Sequence, residues 1–248
     1  MNELLPELDV VPPTRQRRLT VLLRLLLLIP QFIVLAVLGV AVFFVAIIGW
    51  FAALVTGRLP TWAYYFLSSY LAYATRVRAS ESLMIDTYPP FSFDAPAYPV
   101  QIELQPAELN RLAVLARIIL VIPAAIVYSV LAAGWQVCAF FIWLIVLVVG
   151  RMPEPLFEAT AAIARYLMRV EAYWLMLTTA YPKRLFGDGT GQATPGTNAT
   201  KPFLMTTAGR VTLIVIIVIG VASAIGGGFG GGSGNNNSYS TGAQPINP

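Results

Sequence analysis

Four arginines are the residues of this chain best suited to chemistry. Arg24 and Arg76 flank long uncharged stretches, and Arg117 and Arg169 repeat them 93 positions later. A guanidinium keeps its charge and offers five N–H donors in a flat fork, a shape that fits phosphate and carboxylate oxygens. Beside a membrane, that chemistry points to lipid phosphate. The alternative reading is that each arginine snorkels, or pairs with a carboxylate to fix helix packing. Glu158, Arg165 and Arg169 follow helical spacing and form one polar stripe with Ala162 between them. Such a stripe lines a proton or ion path, or else makes the wet face of an interfacial helix. The candidate lipid- or partner-binding residues are therefore Arg24, Arg117, Arg76, Arg169, Arg165 and Glu158. The chain has no His and a single Cys, Cys138, inside a hydrophobic segment. That removes the commonest general acid/base and the commonest metal ligand. No catalytic residue, metal site or cofactor is expected, and the chain reads as a non-enzyme.

The elements that carry these residues come in two copies. Residues 19–89 overlie 112–182 without a gap, and 24 of the 71 pairs are identical. Composition alone does not explain matches such as Pro30/Pro123, Trp50/Trp143, Tyr73/Tyr166 or Tyr88-Pro89/Tyr181-Pro182. A repeat of this length is a folding unit. With 57% hydrophobic and 11% charged residues, against roughly 25% charged in soluble domains, the unit belongs in a membrane. The expected fold is an all-α integral membrane protein. Two tandem helical repeats, with interfacial and transmembrane helices, are followed by one C-terminal transmembrane helix.

Each repeat reads as three helical pieces. Piece A, Arg17–Ile29 or Asn110–Ile122, is Leu-rich with its polar positions on one face, which suits a helix in the headgroup zone. Piece B starts at Pro30 or Pro123, since proline is tolerated in a first helical turn. It ends at the helix stops Gly57, Arg58 and Pro60, or Gly150, Arg151 and Pro153. Piece C, 61–87 or 154–180, is apolar but interrupted by charges, and either spans or lies at the interface. The domains follow: a leader over 1–14, repeat 1 over 15–91, a linker with a short strand over 92–110, and repeat 2 over 111–184. A flexible linker over 185–210, a C-terminal transmembrane helix over 211–227 and a disordered Gly/Ser/Asn tail over 228–248 complete the chain. Gly187-Asp188-Gly189-Thr190-Gly191 lacks the Lys-Ser/Thr pair of a phosphate loop and reads as part of that flexible linker.

Positive charge sets the topology. Arg15, Arg17 and Arg18 on one side, and Lys183, Arg184, Lys201 and Arg210 on the other, place both flanks in the cytoplasm. The uncharged tail then exits on the far side. The repeated arginines favour equivalent surroundings for the two copies, hence two crossings per repeat, parallel repeats and about five crossings in all. One crossing per repeat would make the repeats inverted.

The combined motif resembles a bacterial membrane family, common in actinobacteria, called domain of unknown function 4389. The residues that carry the likeness are Arg24, Pro30, Trp50, Gly57-Arg58-Leu59-Pro60, Arg76-Val77 and Tyr88-Pro89-Pro90-Phe91. The second copy has Arg117, Pro123, Trp143, Gly150-Arg151-Met152-Pro153, Arg169-Val170 and Tyr181-Pro182, then departs with Lys183-Arg184. The likeness covers roughly residues 15–184. It implies a helical membrane protein and no particular activity. The expected function is a non-catalytic accessory or scaffold subunit of the bacterial plasma membrane that binds membrane proteins and anionic lipid, with no nucleic acid. A small transporter or channel built from the two repeats is the alternative.

Overall fold

A computed structural model describes residues 5–11, 15–106, 109–187 and 203–230, the last four as backbone only. The chain runs β1 (Glu7–Val10), α1 (Arg18–Leu22), α2 (Arg24–Thr56), α3 (Thr61–Glu81), β2 (Val100–Glu103), α4 (Arg111–Val149), α5 (Glu154–Trp174) and α6 (Thr207–Gly230). The fold is all-α apart from the two short strands. Residues 188–202 of the expected flexible linker and the tail from 231 lie outside the described residues.

The long helices ignore their prolines. Pro30 lies inside the 33-residue α2 and Pro123 inside the 39-residue α4, so pieces A and B are one helix in each repeat. Proline breaks a helix by removing one donor and crowding one carbonyl. Here strong helix formers flank it on both sides, with no capping residue to stop the run, and apolar surroundings favour a continuous ladder. The only interruption is at Leu23, which separates the five-residue α1 from α2. At 1.5 Å per residue, α2 extends for about 50 Å and α4 for about 58 Å, more than a bilayer core of about 30 Å. Gly57 and Gly150 close the two helices with φ of +76° each, donating back to Ala53 O at 2.9 Å and Val146 O at 2.8 Å. A left-handed residue costs glycine nothing, which is why glycine stands there.

Three helices, α2, α4 and α6, are long and apolar enough to cross a membrane. The charged helices α3 and α5 are not among them, so three candidate spans replace the expected five crossings. Side chains such as Ile33, Val37, Val40, Phe43, Phe44 and Phe51 on α2, and Ile119, Ile126, Phe140 and Phe141 on α4, stand exposed. Helices that are apolar on all sides need a protein face and a lipid face. The protein face is provided by α3 and α5, and α5 is the more enclosed, with an unbroken buried run from Glu158 to Val170.

The repeats pack about a pseudo-twofold axis. Leu109 N donates to Gly57 O at 3.0 Å, and the equivalent Gln16 N donates to Gly150 O at 2.8 Å. The start of each long helix therefore lies against the end of the other, and α2 and α4 run antiparallel. The cores repeat as well. Ala53, Val114 and Met176 with Trp50, Leu54 and Leu59 form one cluster. Their 93-residue counterparts Val146, Val21 and Leu83 with Trp143, Leu147 and Met152 form another. Self-reciprocal contacts of this kind mark a twofold interface.

The parallel arrangement expected from the charges thus gives way to an inverted one. The physical reason lies in what the arginines touch: each copy surrounds its own with protein, so equivalent surroundings do not require the same membrane face. The leader is also more than irregular coil. Its strand β1 pairs antiparallel with β2, Glu7 opposite Glu103 through Val10 opposite Val100. Glu7 and Val100 are 93 apart, as are Val10 and Glu103, so the axis passes through the middle of this ribbon. The structural unit is a strand followed by a helical pair.

Candidate functional site

The four repeated arginines hold the chain together. All four are nearly inaccessible, at 2–4% exposure. Arg24 Nη1 donates to Ser80 Oγ at 2.8 Å, and its Nη2 approaches Asp86 Oδ1 at 3.4 Å. Arg117 donates to the carbonyls of Tyr173 at 2.6 Å and Thr178 at 2.9 Å, and its guanidinium lies over the Tyr173 ring at 4.2 Å. In both repeats the arginine near the start of the long helix grips the end of the charged helix running back beside it. Arg76 donates to Ser92 O and Phe93 O, both at 2.8 Å, which ties down the chain leaving α3. Arg169 donates to Pro6 O at 2.9 Å and Lys183 O at 3.0 Å. A fork that bonds two carbonyls is a brace, and the low dielectric around it strengthens each bond.

Glu158 and Arg165 do a separate job. They replace Tyr65 and Ala72 of the first copy, and only the second copy leads into α6. The Glu158 carboxylate accepts from Thr206 N at 3.0 Å and Thr206 Oγ1 at 2.6 Å, capping the N-terminus of α6. Anionic groups favour helix N-termini, where free N–H groups and the helix dipole converge. Arg165 stacks over Phe203 at 5.0 Å, just before that cap. The stripe of Glu158, Arg165 and Arg169 therefore faces protein: the first two hold the segment leading into α6, and Arg169 holds the leader and the chain after α5.

A close charge pair joins the two repeats. Arg78 Nη2 donates to Glu171 Oε1 at 2.8 Å and Nη1 to Oε2 at 3.1 Å. Arg78 and Glu171 are repeat equivalents, 93 apart. Residues that meet their own counterparts lie on the symmetry axis, so this bidentate bridge sits there, below the β1–β2 ribbon. Tyr128 Oη adds a bond to Glu171 Oε1 at 3.1 Å. Burial pulls the Arg78 pKa down, but the charge and hydrogen bonds of Glu171 outweigh it and raise the pKa above its ordinary value. Nearby, burial pushes the Tyr98 phenol up, with Arg24 and Arg76 pulling it back, and its Oη donates to Thr87 O at 2.9 Å. Sequence reasoning passed over this pair. Its signal was present, since opposite charges occupy one repeat position.

Comparison with known families gives this arrangement its place. The sequence model of the domain of unknown function DUF4389 matches residues 18–92 and again 111–185. The chain belongs to the DUF4389 family. No curated protein and no solved structure matches the chain. Each DUF4389 copy contains one long helix, the charged helix beside it and the Tyr-Pro turn. The strands β1 and β2 precede the matched segments, although they obey the same symmetry.

The two DUF4389 copies treat their shared tryptophan differently. Trp143 Nε1 donates to Val21 O at 3.0 Å. That carbonyl lies at the interruption around Leu23, outside any continuous helical ladder. The counterpart of Val21 is Val114, which sits inside the unbroken α4. Trp50 accordingly has a buried Nε1 with no acceptor among the described residues, and so does Arg117 at Nε. Both side chains line one cavity of about 470 Å³ among α2, α3, α4 and α5, which Arg78 and Glu171 also line. No cluster of three or more potential metal ligands occurs among the described residues.

Proposed function

We propose that this DUF4389 protein is a non-catalytic accessory or scaffold subunit of a bacterial plasma membrane, of the kind found in actinobacteria, that binds other membrane proteins and anionic lipid. The observation that carries this reading is how the polar residues are spent. Arg76, Arg117 and Arg169 brace backbone carbonyls and Arg24 holds Ser80 and Asp86, while the outward surface of α2, α4 and α6 is apolar. Such a molecule offers surface rather than reactive groups. Anionic headgroups suit the exposed cations at the helix ends: Arg15, Arg17 and Arg151 beside the Gln16–Gly150 contact, and Arg58 and Arg111 beside the Gly57–Leu109 contact. The first group is the larger, which favours a cytoplasmic N-terminus. α6 starts at that same end, against Glu158, and would carry the tail outside. Purification from native membranes in mild detergent tests this reading. A stoichiometric membrane-protein partner is expected, and monodisperse protein alone in every detergent would count decisively against it.

One observation favours transport instead. Antiparallel long helices related by a twofold axis match the inverted-repeat plan of many secondary transporters, whose sites lie at the repeat interface. In that reading the Arg78–Glu171 bridge is a gate. Purified protein in liposomes would then carry a solute or proton flux that Glu171→Gln alters.

A further inference from the structure

The face of repeat 2 that carries α6 has an uncovered twin in repeat 1. α6 packs against both α4 and α5, in the angle between them. The matching angle lies between α2 and α3, and among the described elements α2 touches only α1, α3 and α4. Burial follows the difference position by position. Leu131, Gly134 and Glu158 are buried where α6 and its approach cover them. Their counterparts Leu38 and Ala41 are half-buried, and Tyr65 is exposed. Val130, whose carbonyl meets Gly220 of α6, corresponds to Val37, which is 67% exposed.

The segment that leads into α6 has a twin space as well. Phe203 lies against the Arg165 guanidinium, and its carbonyl is 2.7 Å from where a Cβ on Gly187 would stand. Glu158 then holds Thr206 at the helix start. The counterparts of Glu158, Arg165 and Gly187 are Tyr65, Ala72 and Asp94. All three line a cavity of about 330 Å³ beside α3. Repeat 1 is therefore hollow where repeat 2 receives the approach to its third long helix, and Tyr65 joins that hollow to the uncovered face.

Direction and chemistry define the occupant. α6 begins at the Gln16–Gly150 end, so the pseudo-twofold places the start of its twin at the Gly57–Leu109 end, antiparallel to α6. A second copy of this chain, lying the same way in the same membrane, presents α2 and α6 in the wrong direction. Its α4 has the right direction, but the start of α4 is already tied to Gly57 through Leu109. The occupant is thus a helix of another protein. Asp94 stands where Gly187 admits the Phe203 carbonyl, and a carboxylate accepts hydrogen bonds only. Arg76 also lines the cavity and balances that charge, so a neutral donor such as Asn, Gln, Ser or Thr fits there. Ala41 carries a Cβ where Gly134 has none, which keeps the incoming helix further out than α6.

We propose that repeat 1 is a socket for one transmembrane helix of a different membrane protein. That helix runs antiparallel to α6, and the polar segment preceding it sits in the cavity beside Asp94. The proposal rests on the scaffold reading and names its contact surface.

Photo-crosslinking of the full chain in native membranes tests it, with p-benzoylphenylalanine replacing Tyr65 or Val37 on the uncovered face, or Phe140 on the exposed face of α4. Tyr65 and Val37 should capture the same transmembrane helix of one protein, and Phe140 should not. Tyr65 should mark the start of that helix and Val37 a point about four turns later, as Thr206 and Gly220 are placed in α6. Ala41→Leu crowds the face and should lower capture at Val37 about fivefold or more. Capture of a second copy, capture of lipid alone at Tyr65 and Val37, or the reverse order along the helix would overturn the socket. A protein that copurifies but crosslinks only at Phe140 would leave the scaffold reading standing and remove the socket. Absence of any copurifying protein would remove both.

Discussion

Repeat 1 and repeat 2 solve the same packing problem with different residues, and three of the differences change what each half can hold. At the axis, one position is Arg78 in the first copy and Glu171 in the second. Under the long helices, one position is Val42 in the first and Trp135 in the second. At the outer edge, Tyr65 becomes Glu158 and Ala72 becomes Arg165, and α6 is docked on that side only. A symmetric pair must place identical residues face to face on its axis, and two like charges there repel. Duplication within one chain removes that constraint. This molecule uses the freedom to install a complementary bridge, an indole opposite a small side chain, and a third long helix.

The bridge gives the sharpest way to break this comparison. Arg78→Glu sets two carboxylates against each other on the axis. Breaking a buried pair costs about 3–5 kcal/mol, but these side chains remain 30% and 23% exposed, so about 2–3 kcal/mol is the appropriate scale. Because the axis passes between the two positions, combining Arg78→Glu with Glu171→Arg swaps the partners and preserves the geometry. Thermal unfolding in detergent should show a large loss for the single change and recovery of most of it in the double swap. Additive losses would mean that the surroundings are not symmetric after all.

The third long helix comes next in size. Gly134 on α4 and Gly220 on α6 touch backbone to backbone: a Cβ at Gly134 would run into the Ile216 carbonyl and the Gly220 nitrogen, and one at Gly220 into the Val130 carbonyl. Small residues allow this approach in membrane helices. Gly134→Leu has nowhere to go, because the obstruction is backbone, and about 1–3 kcal/mol of destabilisation with loss of α4–α6 cross-linking is expected. Its counterpart in repeat 1 is Ala41, and α6 makes no contact with α2. Ala41→Leu should stay within about 0.5 kcal/mol of wild type. Equal losses at both positions would show that α6 is not what distinguishes the two sides.

Much of this was legible in the residues, and the rest failed for identifiable reasons. The repeat, the membrane character and the positions of Gly57 and Gly150 at helix ends follow from spacing and composition. Pro30 and Pro123 misled because proline marks a helix start only statistically, and nothing in Leu-rich flanks marks an end. The arginines were visible as retained residues. Their partners were not, because those partners are mainly backbone carbonyls, which leave no trace in a sequence. Glu158 and Arg165 were recognisable as departures from the first copy, but only the contacts with Thr206 and Phe203 connect them to α6. The bridge could have been found by asking which aligned positions carry opposite charges. The cavity could not, since its lining comes from four helices brought together only by the fold.

The smallest effect discriminates best between the two copies. Trp50 and Trp143 are identical residues at identical positions, and a sequence comparison assigns them one role. The contacts differ: Trp143 Nε1 holds the Val21 carbonyl, whereas Trp50 Nε1 has no protein acceptor. Trp143→Phe removes a donor and strands that carbonyl, which costs about 1 kcal/mol. Trp50→Phe removes a donor that was already unpaired, so stability in delipidated detergent should be unchanged or slightly higher. If Trp50→Phe costs as much as Trp143→Phe, the helix interruption at Leu23 is not the source of the asymmetry.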